Sequence, residues 1–405
     1  MRFCMMTTYY PPHNLGGDGI FVRSLANELA QRGHEVDIIH CLDAYSLTGR
    51  GKPTTIYQDH PNVTVHGLKS PFGMFSPLAT QQTGVPFFKL RAIEKILKKG
   101  FDVIHYHNVS LVGGPGVFQY GNGIKLYTTH ECWLICPTHV MFKFKRSPCT
   151  RKTCLLCSLV YRRPPQLWRY FGLLERAARH VDAFLAPSRF VQDLHYKMGF
   201  KGSFTHLPNF VPEVSFAPLP SPKGKPYFLF VGRLEKLKGL QTILPLFKRY
   251  DKARLRVVGT GIYEPHLRRL AGICANVEFL GYVDDFKRLQ NLYRGAVALI
   301  VPSIGYEIFP LVILEAFRQQ RPVIVRNLGG MPEIIEESDG GFVYDNEKEL
   351  VAAMDRLIDD PSLVQQLGSR GYNAYRRHWT TEAHIDRYLA LIQQIARSRR
   401  QTMEK

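Results

Sequence analysis

Apolar positions along the chain alternate between two rhythms. Short β-branched or aromatic runs, "RFCMMTT", "EVDIIHC", "FDVIHYH", "IKLYTTH" and "DAFLAPS", each predict a strand. Between the first two lies "IFVRSLANELAQRG", in which Ile20, Leu25, Ala26 and Leu29 recur at helical spacing and Gly33 marks the end. Strand, helix, strand in this order is the signature of a parallel sheet covered by helices. Around Pro208 the rhythm stops. "LPNFVPEVSFAPLPSPKGKP" is Pro-rich, has no periodicity and reads as a linker. A second series follows: "YFLFVGRLE", "RLRVVGTG", "NVEFLGYV", "AVALIVPS" and "RPVIVRN". From Asn346 onward the pattern is helical. The expected fold is α/β, two doubly wound Rossmann-like domains with a ligand cleft between them. Residues 1–210 form the first domain and 211–378 the second. A helical segment, 379–405, is expected to pack back on the first. In such sheets ligands collect at the carboxyl ends of the strands.

Length and charge sharpen this. At 405 residues the chain fits roughly two or three domains of ~150 residues. No apolar run reaches the ~18 residues of a membrane span. The opening "MRFCMMTTYYPP" is too short for a secretory core and reads as a buried strand, so a cytoplasmic location with reduced thiols is expected. The formal charge is +19 and the isoelectric point about 9.6. Such a balance calls for an anionic partner. The charge is uneven: from Cys132 to Leu174 there is no Asp or Glu, against Lys143, Lys145, Arg146, Arg151, Lys152, Arg162, Arg163 and Arg169. This stretch is either a solvated basic face or one that rests on anionic lipid. Phe72, Met74, Phe75, Phe87 and Phe88 precede a basic helix with Lys89, Arg91, Lys95, Lys98 and Lys99. They form either a core-packed loop or a peripheral membrane contact.

Five of the eight cysteines crowd between His130 and Cys157. Cys136, Cys149, Cys154 and Cys157 offer four thiolates in two groups, the second a Cys-x2-Cys, which suits a closed structural zinc site. Cys132 is an alternative to Cys136. An iron–sulfur or redox pair, or free thiols, are the competing readings.

Several residues carry chemistry. Arg233 and Lys238 follow a strand and can neutralise a diphosphate. Glu307 and Glu315 lie eight apart around Pro310, at the expected start of a helix. A helix start favours phosphate, and a carboxylate on each side of it can bind sugar or ribose hydroxyls. Gly16 and Gly17 open the first helix, and His130 ends a strand on the same edge. Each taken alone has a plain structural explanation: a solvated cation, a capping glutamate, an ordinary turn, a structural histidine.

Together, however, "PPHNLGGDG", "RGHEV", "DVIHYHN", "TTHE", "PSRF", "LPN", "VGRLEKLKG", "VVGTG", "FLGYV", "EIFPLVILE", "PVI" and "GGMPEII" appear in one order. The chain resembles the retaining GT-B glycosyltransferases of family four over nearly its whole length. By this resemblance Arg233 and Lys238 hold the donor diphosphate. Glu307 lies near the donor sugar with Ile308 and Phe309 beside it, and Glu315 binds ribose hydroxyls. The amides of Leu311 and Val312 face phosphate, and the backbone at Val283 meets the base. Gly16 and Gly17 form the loop beside the donor, and His130 lies near the transferred sugar. The resemblance implies a nucleotide-sugar donor (UDP-, GDP- or ADP-linked) and a glycan, lipid-linked or cell-envelope acceptor. It implies no catalytic metal and no nucleic-acid partner; an anionic membrane surface is the other expected contact, on the inner face. One departure stands out. Where the family commonly has Glu-Gly-Phe-Gly, this chain has Glu307-Ile308-Phe309-Pro310, which adds a side chain and removes an N–H. The cysteine segment, 132–157, then reads as an insertion after His130 that walls the acceptor side. Two other readings compete: a zinc-bearing nucleic-acid-binding protein, and a GT-B enzyme of phosphorylase or epimerase type.

Overall fold

In the computed structural model, the described residues are 1–403 except 50, 52, 54 and 215–223. The chain forms two compact units. One comprises Met1–Lys145, Cys149–Asn209 and His384–Lys405; the other comprises Arg146–Pro148 and Phe210–Ala383. Much of the Pro-rich stretch, residues 215–223, lies outside the described residues.

The first unit is built on a seven-stranded sheet. Its strands are β1 (Arg2–Met6), β2 (Glu35–Cys41), β3 (Val63–Leu68), β4 (Val103–Tyr106), β5 (Ile124–Thr128), β6 (Ala183–Ala186) and β7 (Phe204–His206). They lie in the order β3-β2-β1-β4-β5-β6-β7, every described pair parallel. β1 lies inside the sheet, with Phe3 beside Val36 on one flank and Val103 on the other. Strands covered on both faces must be apolar throughout, and Phe3, Cys4, Met5 and Met6 are all fully buried. The helix Gly17–Gln31 follows β1 and buries Phe21, Val22, Leu25, Ala26 and Leu29. It begins inside the glycine run, so Ile20, expected on the inner face, is turned out and exposed. The C-terminal helix Thr381–Met403 joins this unit from His384 onward. Its Tyr388 hydroxyl pairs with His105 Nδ1 at 3.0 Å, and Arg399 grips Asp182 through both guanidinium and carboxylate edges at 2.6 and 2.9 Å.

The second unit repeats the plan. Its strands are β8 (Tyr227–Val231), β9 (Arg254–Val258), β10 (Val277–Gly281), β11 (Leu299–Val301), β12 (Val323–Arg326) and β13 (Gly341–Tyr344), in the order β10-β9-β8-β11-β12-β13, all parallel. The period of two is visible in the core. Phe228 and Phe230 enter one apolar layer, Tyr227 and Leu229 the other. Asn346 caps the helix Glu347–Asp359 and Asp360 caps Pro361–His378.

In each sheet the strand order reverses beside the first strand, between β1 and β4 and between β8 and β11. Ligands of such sheets bind outside the carboxyl ends at that reversal. No helix among the described residues is long and apolar enough to cross a membrane.

Candidate active site

In the second unit, the two strands that flank the reversal deliver the charged residues. Arg233 and Lys238 leave β8, and Glu307 leaves β11. Lys238 ends a single 3₁₀ turn, Lys236–Lys238, stopped by Gly239. Gly239 has φ +74, and a Cβ on it would stand 1.9 Å from the Pro302 carbonyl oxygen. Only glycine allows the two loops to touch backbone to backbone here. The contact brings Lys238 Nζ to 2.8 Å from Glu307 Oε1, and the Ser303 hydroxyl donates to the same oxygen at 2.7 Å. Behind Glu307 the downstream Gly-Gly closes the turn. The Gly330 N–H donates to the Glu307 carbonyl at 2.7 Å, and Gly329 has φ +69.

Burial alone would raise the Glu307 pKa. The adjacent Lys238 charge, hydrogen bonds from Lys238 and Ser303, and the Arg233 charge outweigh it and hold the carboxyl below its ordinary value. Glu307 is therefore ionised at neutral pH. Arg233, about half exposed, rests on Glu235 at 2.7 Å. Pro310 stands at the cap of the helix Leu311–Arg318, so the first-turn amides of Leu311 and Val312 have no intrahelical acceptor. Glu315, one turn on, accepts from the buried Tyr293 hydroxyl at 2.6 Å. Ile308 is partly buried against the core. The Phe309 ring is buried in it, edge-on to Trp379, so Phe309 offers a ligand its backbone only. Val283 is buried after β10.

In the first unit, Gly16 caps and Gly17 begins the helix after β1. His130 stands two residues past β5, edge-on to Phe21 of that helix. Its Nε2 lies 2.9 Å from His107 Nδ1, just past β4. His105 bridges Tyr388 and Thr128, and His384 Nδ1 meets the Pro208 carbonyl at 2.7 Å. Burial, reinforced by the His384 charge, pulls His130 down to about 3. Burial pulls His384 to about 4, and His105 and His107 also fall well below the ordinary value. These imidazoles are neutral near pH 7 and serve as hydrogen-bonding groups, not cations.

Sequence reasoning missed Ser303, His107, His384 and Tyr293. Ser303 had a faint signal, four residues before Glu307. His107 and His384 had none, because their partners are 23 or more positions away.

The cysteines of the segment 132–157 all belong to the first unit. Cys136, Cys149, Cys154 and Cys157 line one cavity of about 20 Å³ with Pro137, Thr138 and Phe142 among its walls. Cys132 does not line it; its N–H donates to the His139 carbonyl. All cysteines are free. The exposed residues Phe72 (56%), Met74 (53%), Phe75 (68%) and Phe87 (63%) are not core-packed. Lys89, expected in the basic face, is instead buried against the Ser76 hydroxyl.

Two parallel-sheet units, each with polar residues gathered where its strand order reverses, define a GT-B architecture. The family model "Glycosyltransferase Family 4" matches residues 15–213 and "Glycosyl transferases group 1" matches 212–374. Together they account for nearly the whole chain, and the protein is a glycosyltransferase of the GT-B fold. An uncharacterized glycosyltransferase of Methanocaldococcus jannaschii is 26% identical over 381 residues, covering 89% of this chain and 90% of that one. Sucrose-phosphate synthase from Thermosynechococcus elongatus superposes with a TM-score of 0.75 at 19% identity, covering 98% and 99%. Anabaena HepE in complex with UDP-glucose does so with 0.66 at 16%, again covering 98% and 99%.

Proposed function

We propose that this glycosyltransferase is retaining and uses a nucleotide-sugar donor. The observation that carries the proposal is the Lys238–Glu307–Ser303 cluster, with Arg233 beside it, at the reversal of the second sheet. Arg233, Lys238 and the amides of Leu311 and Val312 take the donor diphosphate. Glu307 accepts from a sugar hydroxyl and Glu315 from the ribose, and the backbone at Val283 meets the base. Gly16 and Gly17 admit the donor close to the first helix. Neutral His130, oriented by His107, offers a hydrogen bond to the transferred sugar. The acceptor hydroxyl attacks the anomeric carbon on the face that the leaving group departs. The bond from that carbon to the diphosphate oxygen breaks, the new glycosidic bond forms, and the hydroxyl proton passes to the leaving diphosphate. Rate comes from positioning and from fixed positive charge, and no catalytic metal enters the proposal. The structure of HepE with UDP-glucose supports a donor of this class.

The acceptor is a glycan or a lipid-linked or cell-envelope glycan. The exposed Phe72, Met74, Phe75 and Phe87, with the basic excess of residues 132–174, favour work at an anionic membrane surface on its cytoplasmic face.

The test is a panel of UDP-, GDP- and ADP-sugars with sugar and lipid-linked acceptors, run with and without anionic vesicles. Nucleoside diphosphate release is measured, and the product anomer is read by NMR. One donor is expected to raise the melting temperature and to turn over with retention, faster on vesicles. If no donor binds or reacts, the donor assignment fails; an inverted product refutes retention, and indifference to vesicles refutes the membrane contact.

A further inference from the structure

We propose that the cysteine insertion of the first unit is a structural zinc site with Cys136, Cys149, Cys154 and Cys157 as its four ligands. Four independent features converge on it.

The first is selection. Of the five cysteines in this stretch, the fold brings these four to one cavity and leaves Cys132 outside it. The second is size. A cavity of about 20 Å³ holds a single water-sized object, so it admits one ion and is too small for a cluster that brings its own sulfides. Four thiolates around a single ion suit zinc. The third is charge. Zinc with four thiolates carries two net negative charges, and the surroundings are built for an anion. Lys143 and Lys152 line the cavity. Arg169 lies within electrostatic reach of Cys136 and Cys154. It lies between the Trp133 and Trp168 rings and donates to the carbonyls of Trp133 and Leu134. No carboxylate pairs with it among the described residues, so the thiolates are its available counter-charge. The fourth is strain. His139, Met141, Phe144 and Lys145 all have positive φ without being glycine. Such backbone persists only where something over-determines it, and a tetrahedral crosslink across 136–157 does so. The Phe144 N–H already points at Cys157 Sγ, 3.5 Å away, as outer-shell donors do toward a metal-bound sulfur.

Among the described residues, no three His, Cys, Asp or Glu side chains are already gathered as a ligand set. The four cysteines line one cavity, and binding an ion requires their sulfurs to draw together around it.

Metal analysis of the purified full-length chain tests this. The expected content is about one zinc per chain. Cys132→Ser should keep the metal, whereas the double variant Cys154→Ser/Cys157→Ser should lose it. Because that variant can fail to fold, the wild type is also exchanged with cobalt, whose sulfur-to-metal charge-transfer band and strong visible bands report a tetrahedral thiolate site. A zinc-free protein with four thiols open to Ellman's reagent, disulfides among the four, or iron in place of zinc each overturns the proposal. Loss of metal in Cys132→Ser with retention in Cys136→Ser overturns the ligand assignment.

Discussion

At the scale of single residues, the chemistry of the second unit turns on how Glu307 stays charged while mostly shielded from water. Burial opposes ionisation; Lys238, Ser303 and Arg233 reverse the balance. The sign is that of a depressed carboxylate. Its stabilising contribution is complete above the ordinary pKa of 4.5 and is lost as pH falls through the lower folded value. Removing Lys238 leaves burial as the dominant influence, so the carboxyl should move upward. For Lys238→Ala we expect turnover to fall by about 10²–10³, the loss typical of one fixed donor at a developing charge, and the acidic limb of the rate profile to shift to higher pH. Steady-state rates from pH 4 to pH 8 check both. A fall in rate with an unmoved acid limb would separate Lys238 from Glu307. Arg233→Ala, whose partner Glu235 is two residues away, should weaken donor affinity and move that limb upward by less than Lys238→Ala does, because its charge is the last and smallest of the influences that lower Glu307.

At the scale of elements, two loops meet because glycine permits it. Gly239→Ala must place a Cβ on the Pro302 carbonyl at a positive φ. The left-handed backbone alone costs about 1–2 kcal/mol, and the clash must in addition push the Lys238 turn away from Glu307. Gly33 is the matched control: φ +80, with open space around it. Gly33→Ala should cost about 1 kcal/mol and spare activity, whereas Gly239→Ala should cost more and abolish donor-induced stabilisation. Thermal melts with and without donor distinguish them, and equal behaviour of the two variants would refute the loop contact. The same elements show what could be read in advance. β2 was legible residue for residue, since "EVDIIHC" carries the buried apolar run Val36, Ile38, Ile39 and Cys41 between a turn glycine and a helix, with Asp37 and His40 as buried polar exceptions. β3, β7 and β13 were not. β3 exposes Thr64, Val65 and Gly67 and buries only Leu68, β7 is three residues long, and β13 begins on a glycine. Arg233, Lys238 and Glu307 could be picked out from local spacing, but their meeting depends on the contact of Gly239 with Pro302, far along the chain, and on the bond from Gly330 back to Glu307. The burial of the Phe309 ring was not legible for a related reason: it packs on Trp379, which no local pattern ties to it.

At the scale of the molecule, the two units share a plan but differ in how they store protons. Every histidine held below its ordinary value, among them His40, His105, His107, His130, His195 and His384, lies in the first unit. The second unit contains only His266 and His378. A histidine buried neutral binds its proton more weakly folded than unfolded, so the unfolded state takes up protons first as pH drops below 6.5. Stability of the first unit is thus complete above that value. It declines on acidification toward the folded values of about 3 for His130 and about 4 for His384. At pH 5 each such group has given up about 2 kcal/mol. Glu307, the depressed carboxylate of the second unit's site, acts only below 4.5. Calorimetry from pH 7.5 to pH 5 should therefore show the first unit's transition moving to lower temperature while the second unit's moves little. Limited proteolysis at pH 5, read by mass spectrometry, should cut between Met1 and Asn209 before it cuts between Phe210 and Ala383. Replacing His384 with a neutral, non-titrating Asn should flatten the first transition's pH slope even where it lowers stability at pH 7.5, because the slope counts protons and not contacts. Parallel movement of both transitions, or an unchanged slope in His384→Asn, would show that the histidine cluster does not govern acid stability.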